Sequence, residues 1–235
     1  MKEKMMLSIW IVFALVFIGT PYVHAQDSLK APKIEKPDTA ISIIALYSAA
    51  KEPVLVDVPV MKFLMIDGTG DPNVGTCFQE AIQALYGLAF TIRFMVKDHQ
   101  WPKDFMIPPL EGLWWTADSG EFDYTKRGEW KWTAMLMMPE FITSEMLAAA
   151  VKSQKEKKDD PTLAKVRLEE FREGKSAQVL HVGPYSAERP TIEALHEFIK
   201  AKGFQRSGKH HEIYLGDPRS TPPESLQTIL RQGVK

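Results

Sequence analysis

Apolar and polar residues alternate early in the chain. Val54, Val56 and Val58 interleave with Leu55 and Asp57, and Met61 to Ile66 is a second β-prone run, so two extended segments are predicted there. Upstream, Ile44, Tyr47 and Ser48 share one face of a helix predicted over 39–51, which Pro53 ends. A glycine-bearing connection, Asp67 to Asn73, leads to a helical stripe of Phe78, Ala81, Ile82, Leu85, Leu88, Ala89 and Ile92. Its GxG lacks the third glycine of a dinucleotide cradle, so a plain turn is expected. Residues 105–117 and 130–138 read as partner strands joined by a charged hairpin loop over 118–129. A helix over 144–152, capped by Thr143 or Ser144, and a solvated charged run, Lys155 to Asp160, close the first series.

The same order then returns. Val166 to Phe171 and Ala177 to Val182 are strand-like, Gly183-Pro184-Tyr185 turns the chain, and Ile192, Leu195, His196 and Ile199 mark a helix ended by Gly203. An extended run, His210 to Leu215, and an apolar-periodic piece, Leu226 to Leu230, follow. The recurrence predicts one α+β domain built on a duplicated αβ unit rather than two unrelated domains. Its span is 46–235, with repeats over about 53–150 and 163–235.

Residues 1–25 form a separate region. Lys2 and Lys4 precede the apolar run Met5 to Gly19, and Val23-His24-Ala25 offers a cleavage site, so a secretory signal peptide is expected. The run is shorter than the roughly 20 residues that cross a bilayer, and it predicts export to the periplasm or the exterior without stable membrane insertion. Residues 26–45 then read as a polar, proline-bearing spacer and the start of the first helix.

The 235 residues are 45% hydrophobic and 25% charged, enough apolar material for a packed core. A net charge of −1 supplies no basic surface for nucleic acid, and no helix-turn-helix fits before Thr39. Cys77 is the single cysteine, so no disulfide framework exists within the chain, and a small buried hydrophobe is its expected role.

Candidate chemistry centres on aromatic residues and one acid. Trp114, Trp115, Trp130 and Trp132 lie on neighbouring strands and offer flat surfaces for a planar ligand, with packing as the alternative for each. Alternation puts Glu111, Leu113 and Trp115 on one face and Trp114 on the other. Glu212 shares a face with Tyr214, where a partly desolvated carboxylate attracts a cation or acts as a base. Its alternative is a solvated carboxylate paired with His210 or Lys209. His181, His196, His210 and His211 have no HExxH, no CxxC and no regular carboxylate spacing beside them, so neither metal nor cofactor is expected. No GxSxG elbow supports a nucleophilic triad.

The segments FLMIDGTGDPN at 63–73, FQEAIQALYGLAFTIR at 78–93, LEGLWW at 110–115, WKWTAMLMMPEFI at 130–142, VLHVGPYSAERPTIEALHEFI at 179–199 and HHEIYLGDPRSTPPESLQTILRQ at 210–232 resemble the GyrI-like small-molecule-binding domain family in its stand-alone form. The resemblance implies an α+β fold of two duplicated βαββ units related by a pseudo-twofold, with an antiparallel sheet and two main helices around a cavity for bulky aromatic or cationic compounds, and with Glu212 in the acidic position at the bottom of the pocket. It also implies two alternatives: a hydrolase opening activated cyclopropane rings, with Glu212 activating water and Tyr214 assisting, or a ligand-sensing partner of a regulatory protein. An exported small-molecule binder is the leading expectation. The sequence does not fix the natural ligand, enzymatic turnover or the oligomeric state.

Overall fold

A computed structural model of the chain describes residues 45–98, 104–116, 122–123 and 125–235. Residues 1–44, which hold the expected signal peptide, the expected spacer and the first part of the helix predicted over 39–51, and part of the 118–129 loop lie outside the described residues; residues 46–51 are turn and irregular chain rather than the remainder of that helix. The described elements are strands β1 (Val54–Thr69), β2 (Leu110–Thr116), β3 (Trp130–Met138), β4 (Arg167–Val182), β5 (Arg206–Tyr214) and β6 (Gln227–Val234), with helices α1 (Cys77–Asp98), α2 (Ser144–Lys155) and α3 (Arg189–Ala201). The order strand, helix, strand, strand occurs twice, and α2 is the helix expected over 144–152, standing between the two series.

All six strands pair antiparallel in the closed order β1-β3-β2-β5-β6-β4. Closure explains why two short predicted runs became one 16-residue strand. β1 pairs with β3 over Lys62–Thr69 and with β4 over Val54–Met65, and each partner holds a different stretch extended. The same applies to β4, where both expected runs merge.

Side chains alternate between two sides of this wall. Phe63, Met65, Leu113 and Met135 cluster inside the barrel. Leu64, Ile66, Trp114, Trp132, Ala134 and Leu136 point outward and meet the α1 stripe of Ala81, Leu85, Leu88, Ala89, Ile92 and Val96. Helix α3 covers the other half with Ile192, Leu195 and Ile199 on Ala177, Val179 and Leu230. Each fully buried aliphatic side chain contributes about 1.5–3 kcal/mol. Helix α2 begins at Thr143, whose hydroxyl accepts from the Met146 amide at 3.3 Å and satisfies one open donor.

Two local expectations are corrected. Gly68 lies in β1 rather than in the turn, because the Trp132 ring rests on its Cα and a Cβ would stand 2.1 Å from the indole; the chain turns at Gly70, with φ at +91°. Cys77 opens α1 as a free, exposed thiol rather than a buried one, since the α1 stripe facing the sheet begins beyond it.

Candidate functional site

Strand β5 carries His210, His211, Glu212, Ile213 and Tyr214 in succession, and the pleat sends them to opposite sides. Glu212 stands in register with Gly112 and Leu230, so it faces outward between the surfaces covered by α1 and α3. It is 7% exposed, so it is not solvated, although the His210 pairing of that alternative is present. Tyr214 donates its hydroxyl to Glu212 Oε2 at 2.7 Å, and His210 Nε2 lies 3.1 Å from Glu212 Oε1. The Trp114 indole nitrogen donates to the Tyr214 hydroxyl at 3.0 Å. Gly112 makes this chain of contacts possible, because a Cβ there would meet Trp114 Nε1 at 2.7 Å and the Tyr214 hydroxyl at 3.1 Å.

The four tryptophans do not frame one open chamber. Trp114, Trp130 and Trp132 are buried in the cluster under α1, with Phe78 against both Trp114 and Trp132. Trp130 donates its indole N–H to the Asp123 carbonyl at 2.7 Å and supports Arg127 over its ring. Trp115 points to the other side, where Lys209 Nζ sits 3.5 Å from its ring centroid, so it does not share a face with Glu212. Trp114 alone of the four is linked to Glu212, through Tyr214.

Helix α3 supplies a group that sequence reasoning missed. Glu188, at the residue before its first turn, is 4% exposed, and its Oε1 has no hydrogen-bond partner. Burial, then the charge on Glu212, pushes its carboxyl well above the ordinary range. Tyr185, three residues earlier, packs its ring edge-on against Tyr214 with centroids 5.5 Å apart. Burial, followed by Glu188 and Glu212, pushes its phenol up to about 12. His181 and Thr228 complete the outward row in register with Tyr214, and Thr228 Oγ1 also lacks a partner.

A second polar cluster fills the barrel interior. His211 Nε2 lies 2.9 Å from Glu111 Oε2, and His211 Nδ1 lies 3.0 Å from Glu173 Oε2. Arg231 donates to Glu173 Oε2 at 3.3 Å, to Gln178 Oε1 at 3.0 Å and to the Leu46 carbonyl at 2.7 Å. Tyr47 donates to Glu111 Oε1 at 2.6 Å. Burial alone would lower His211, but Glu173 and Glu111 outweigh it and hold the imidazole at about 9. Burial would raise Glu173, yet His211 and Arg231 bring it below the usual range. Strand alternation placed Glu111 on this side; nothing local marked Glu173 or Arg231, whose partners come from distant strands.

Among the described residues, no group of His, Cys, Asp and Glu has the geometry to hold a metal ion. A depression of about 370 Å³ lined by Lys62, Ile142 and Glu169 shares no residue with the Glu212 site.

The model of the GyrI-like small molecule binding domain matches residues 51–231. A crystal structure of an uncharacterized conserved protein from Listeria innocua is 40% identical, covering 85% of this chain and 100% of that one with a TM-score of 0.77. A crystal structure of a hydrolase from Listeria innocua is 39% identical, with the same coverage and a TM-score of 0.73. No match was found among curated proteins.

Proposed function

The chain belongs to the family of GyrI-like small molecule binding domains, and on that footing we propose that it captures bulky aromatic or cationic organic compounds at Glu212. The observation that carries this reading is a buried carboxyl held by Tyr214 and His210 beneath aromatic rings, since such a group attracts a cation far more strongly than a hydrated one. Tyr185 closes the entrance, so a ligand enters by displacing that short turn and stacks where the Tyr185 ring now lies. The recurring strand order supports a duplicated unit, and the leader-like residues 1–25 support export.

Calorimetric titration with N-methylacridinium, a planar cation of fixed charge, tests the site. Glu212→Gln is expected to weaken binding at least about tenfold with the fold intact. Equal affinity in wild type and variant rules the site out. Export is tested by the mass of the protein recovered outside the cytoplasm, which is expected to begin at Gln26.

A second reading, hydrolytic opening of an activated cyclopropane, is supported by the Listeria relative described as a hydrolase and by Tyr214 beside Glu212. Glu212 takes a proton from water as its oxygen bonds to a ring carbon, the strained C–C bond breaks, and its electrons move onto a conjugated carbonyl that is protonated in turn. Mass spectrometry of a cyclopropane-bearing alkylator incubated with the protein checks it: gain of one water that disappears in Glu212→Gln is expected, and no gain retires the reading.

A further inference from the structure

Glu188 reaches the same patch as Glu212, but from the helical side. Its own amide segment starts α3, where the Ile192 N–H donates to the Glu188 carbonyl at 3.0 Å. Its side chain turns inward and is buried, with Oε1 unpartnered. Thr228, 0% exposed, stands between Tyr214 and His181 on the sheet and approaches Glu188 without completing a hydrogen bond, so its Oγ1 is open as well. Leaving such atoms unpaired costs roughly 1–3 kcal/mol each, a penalty a ligand or water relieves. Neither a packing role nor a helix cap accounts for an acid here, because Glu188 makes no side-chain cap bond.

The titratable groups facing the pair are His210 and Tyr214 on β5, His181 on β4 and Tyr185 in the turn before α3, with Asp217 beyond β5 acting on Tyr185. The charge on Glu212 acts on Glu188, Tyr185, Tyr214 and His181 alike. The Glu188 amide donates to the Tyr185 carbonyl at 3.2 Å, and the Tyr185 ring packs on Tyr214, which holds Glu212, so two buried carboxyls share one patch. They do not both ionise without a compensating cation, so one keeps its proton. A ligand with one positive charge matches the charge on Glu212. A ligand with two has an unmatched charge until the second carboxyl ionises.

We propose that Glu188 is a standby carboxylate for the Glu212 site: the pair takes an aromatic monocation with Glu188 protonated and an aromatic dication with Glu188 ionised, its O–H bond breaking and the proton leaving to bulk water. This rests on the binding reading above and extends it to the charge class of the ligand. Isothermal titration of the mature protein with N-methylacridinium and with N,N′-dimethyl-bipyridinium, in two buffers of different ionisation enthalpy, counts the protons. Dication binding is expected to release about one proton per ligand and to tighten about tenfold per pH unit between about pH 6 and pH 8, while monocation binding releases none and stays flat.

Glu188→Gln is expected to abolish the release and the slope, and its thermal melt reports that the variant is folded. Glu188→Asp, still titratable, retains the slope. Dication binding without proton release in wild type, no dication binding beside intact monocation binding, or a slope that survives Glu188→Gln overturns the proposal. Failure of wild type to bind the monocation overturns the binding reading itself.

Discussion

His210 and His211 are neighbours in the chain, yet they belong to clusters of opposite character. His211, inside the barrel, joins two acids and an arginine in a set where two positive groups meet two negative ones and the polar atoms find partners across four strands. His210, outside, faces Glu212 in a patch where His210 Nδ1, Glu188 Oε1 and Thr228 Oγ1 go unpaired. The inner set is balanced and holds the barrel together; the outer one has acids in excess and polar atoms unused. A buried network that is complete stabilises, whereas one that is incomplete has capacity for a ligand.

The sharpest way to break that contrast is to cut one residue from each side. Arg231→Ala strips Glu173, Gln178 and the Leu46 carbonyl of their donor and is expected to cost about 3–5 kcal/mol in urea unfolding. Glu212→Gln is expected to change stability by about 1 kcal/mol or less, because it removes a buried carboxylate that costs desolvation as it weakens the Tyr214 bond. Equal losses in the two variants would erase the distinction.

Alkaline pH separates the clusters more gently. The folded protein holds the His211 proton to about 9, above its ordinary 6.5, so the gain is complete below about pH 6.5 and disappears as pH rises through about 9. Thermal melts across that window are expected to show a loss on the order of 3 kcal/mol from His211 on top of the decline from the raised Glu188 carboxyl, and His211→Gln removes the first part alone. Gly112→Ala comes next, since its Cβ collides with the Trp114 and Tyr214 heads and breaks their 3.0 Å bond. A loss of about 1–2 kcal/mol in stability, with weaker cation binding in the same titration, is expected. Phe94→Ser is the smallest, within about 0.5 kcal/mol, because that ring is 60% exposed on the outer side of α1.

Periodicity made much of this architecture readable. The α1 stripe, β3 to its exact residues and the Glu212–Tyr214 pairing are local patterns, and local patterns survive folding. What was hidden depends on pairing across the chain. No spacing rule joins Glu173 to Arg231, or sets Glu188 beside Glu212, because strand closure and helix docking bring them together. The tryptophans were legible as large aromatic surfaces, but their side of the wall was settled by α1, which takes three of the four into its own packing.

The seam where β1 meets β4 joins residues on the order of 100 positions apart, from Val54 with Gln178 to Met65 with Arg167. Closing so long a loop before any contact rewards it is entropically slow. Refolding kinetics of this protein should therefore be governed by that last joint, with hairpins and helices forming well ahead of it.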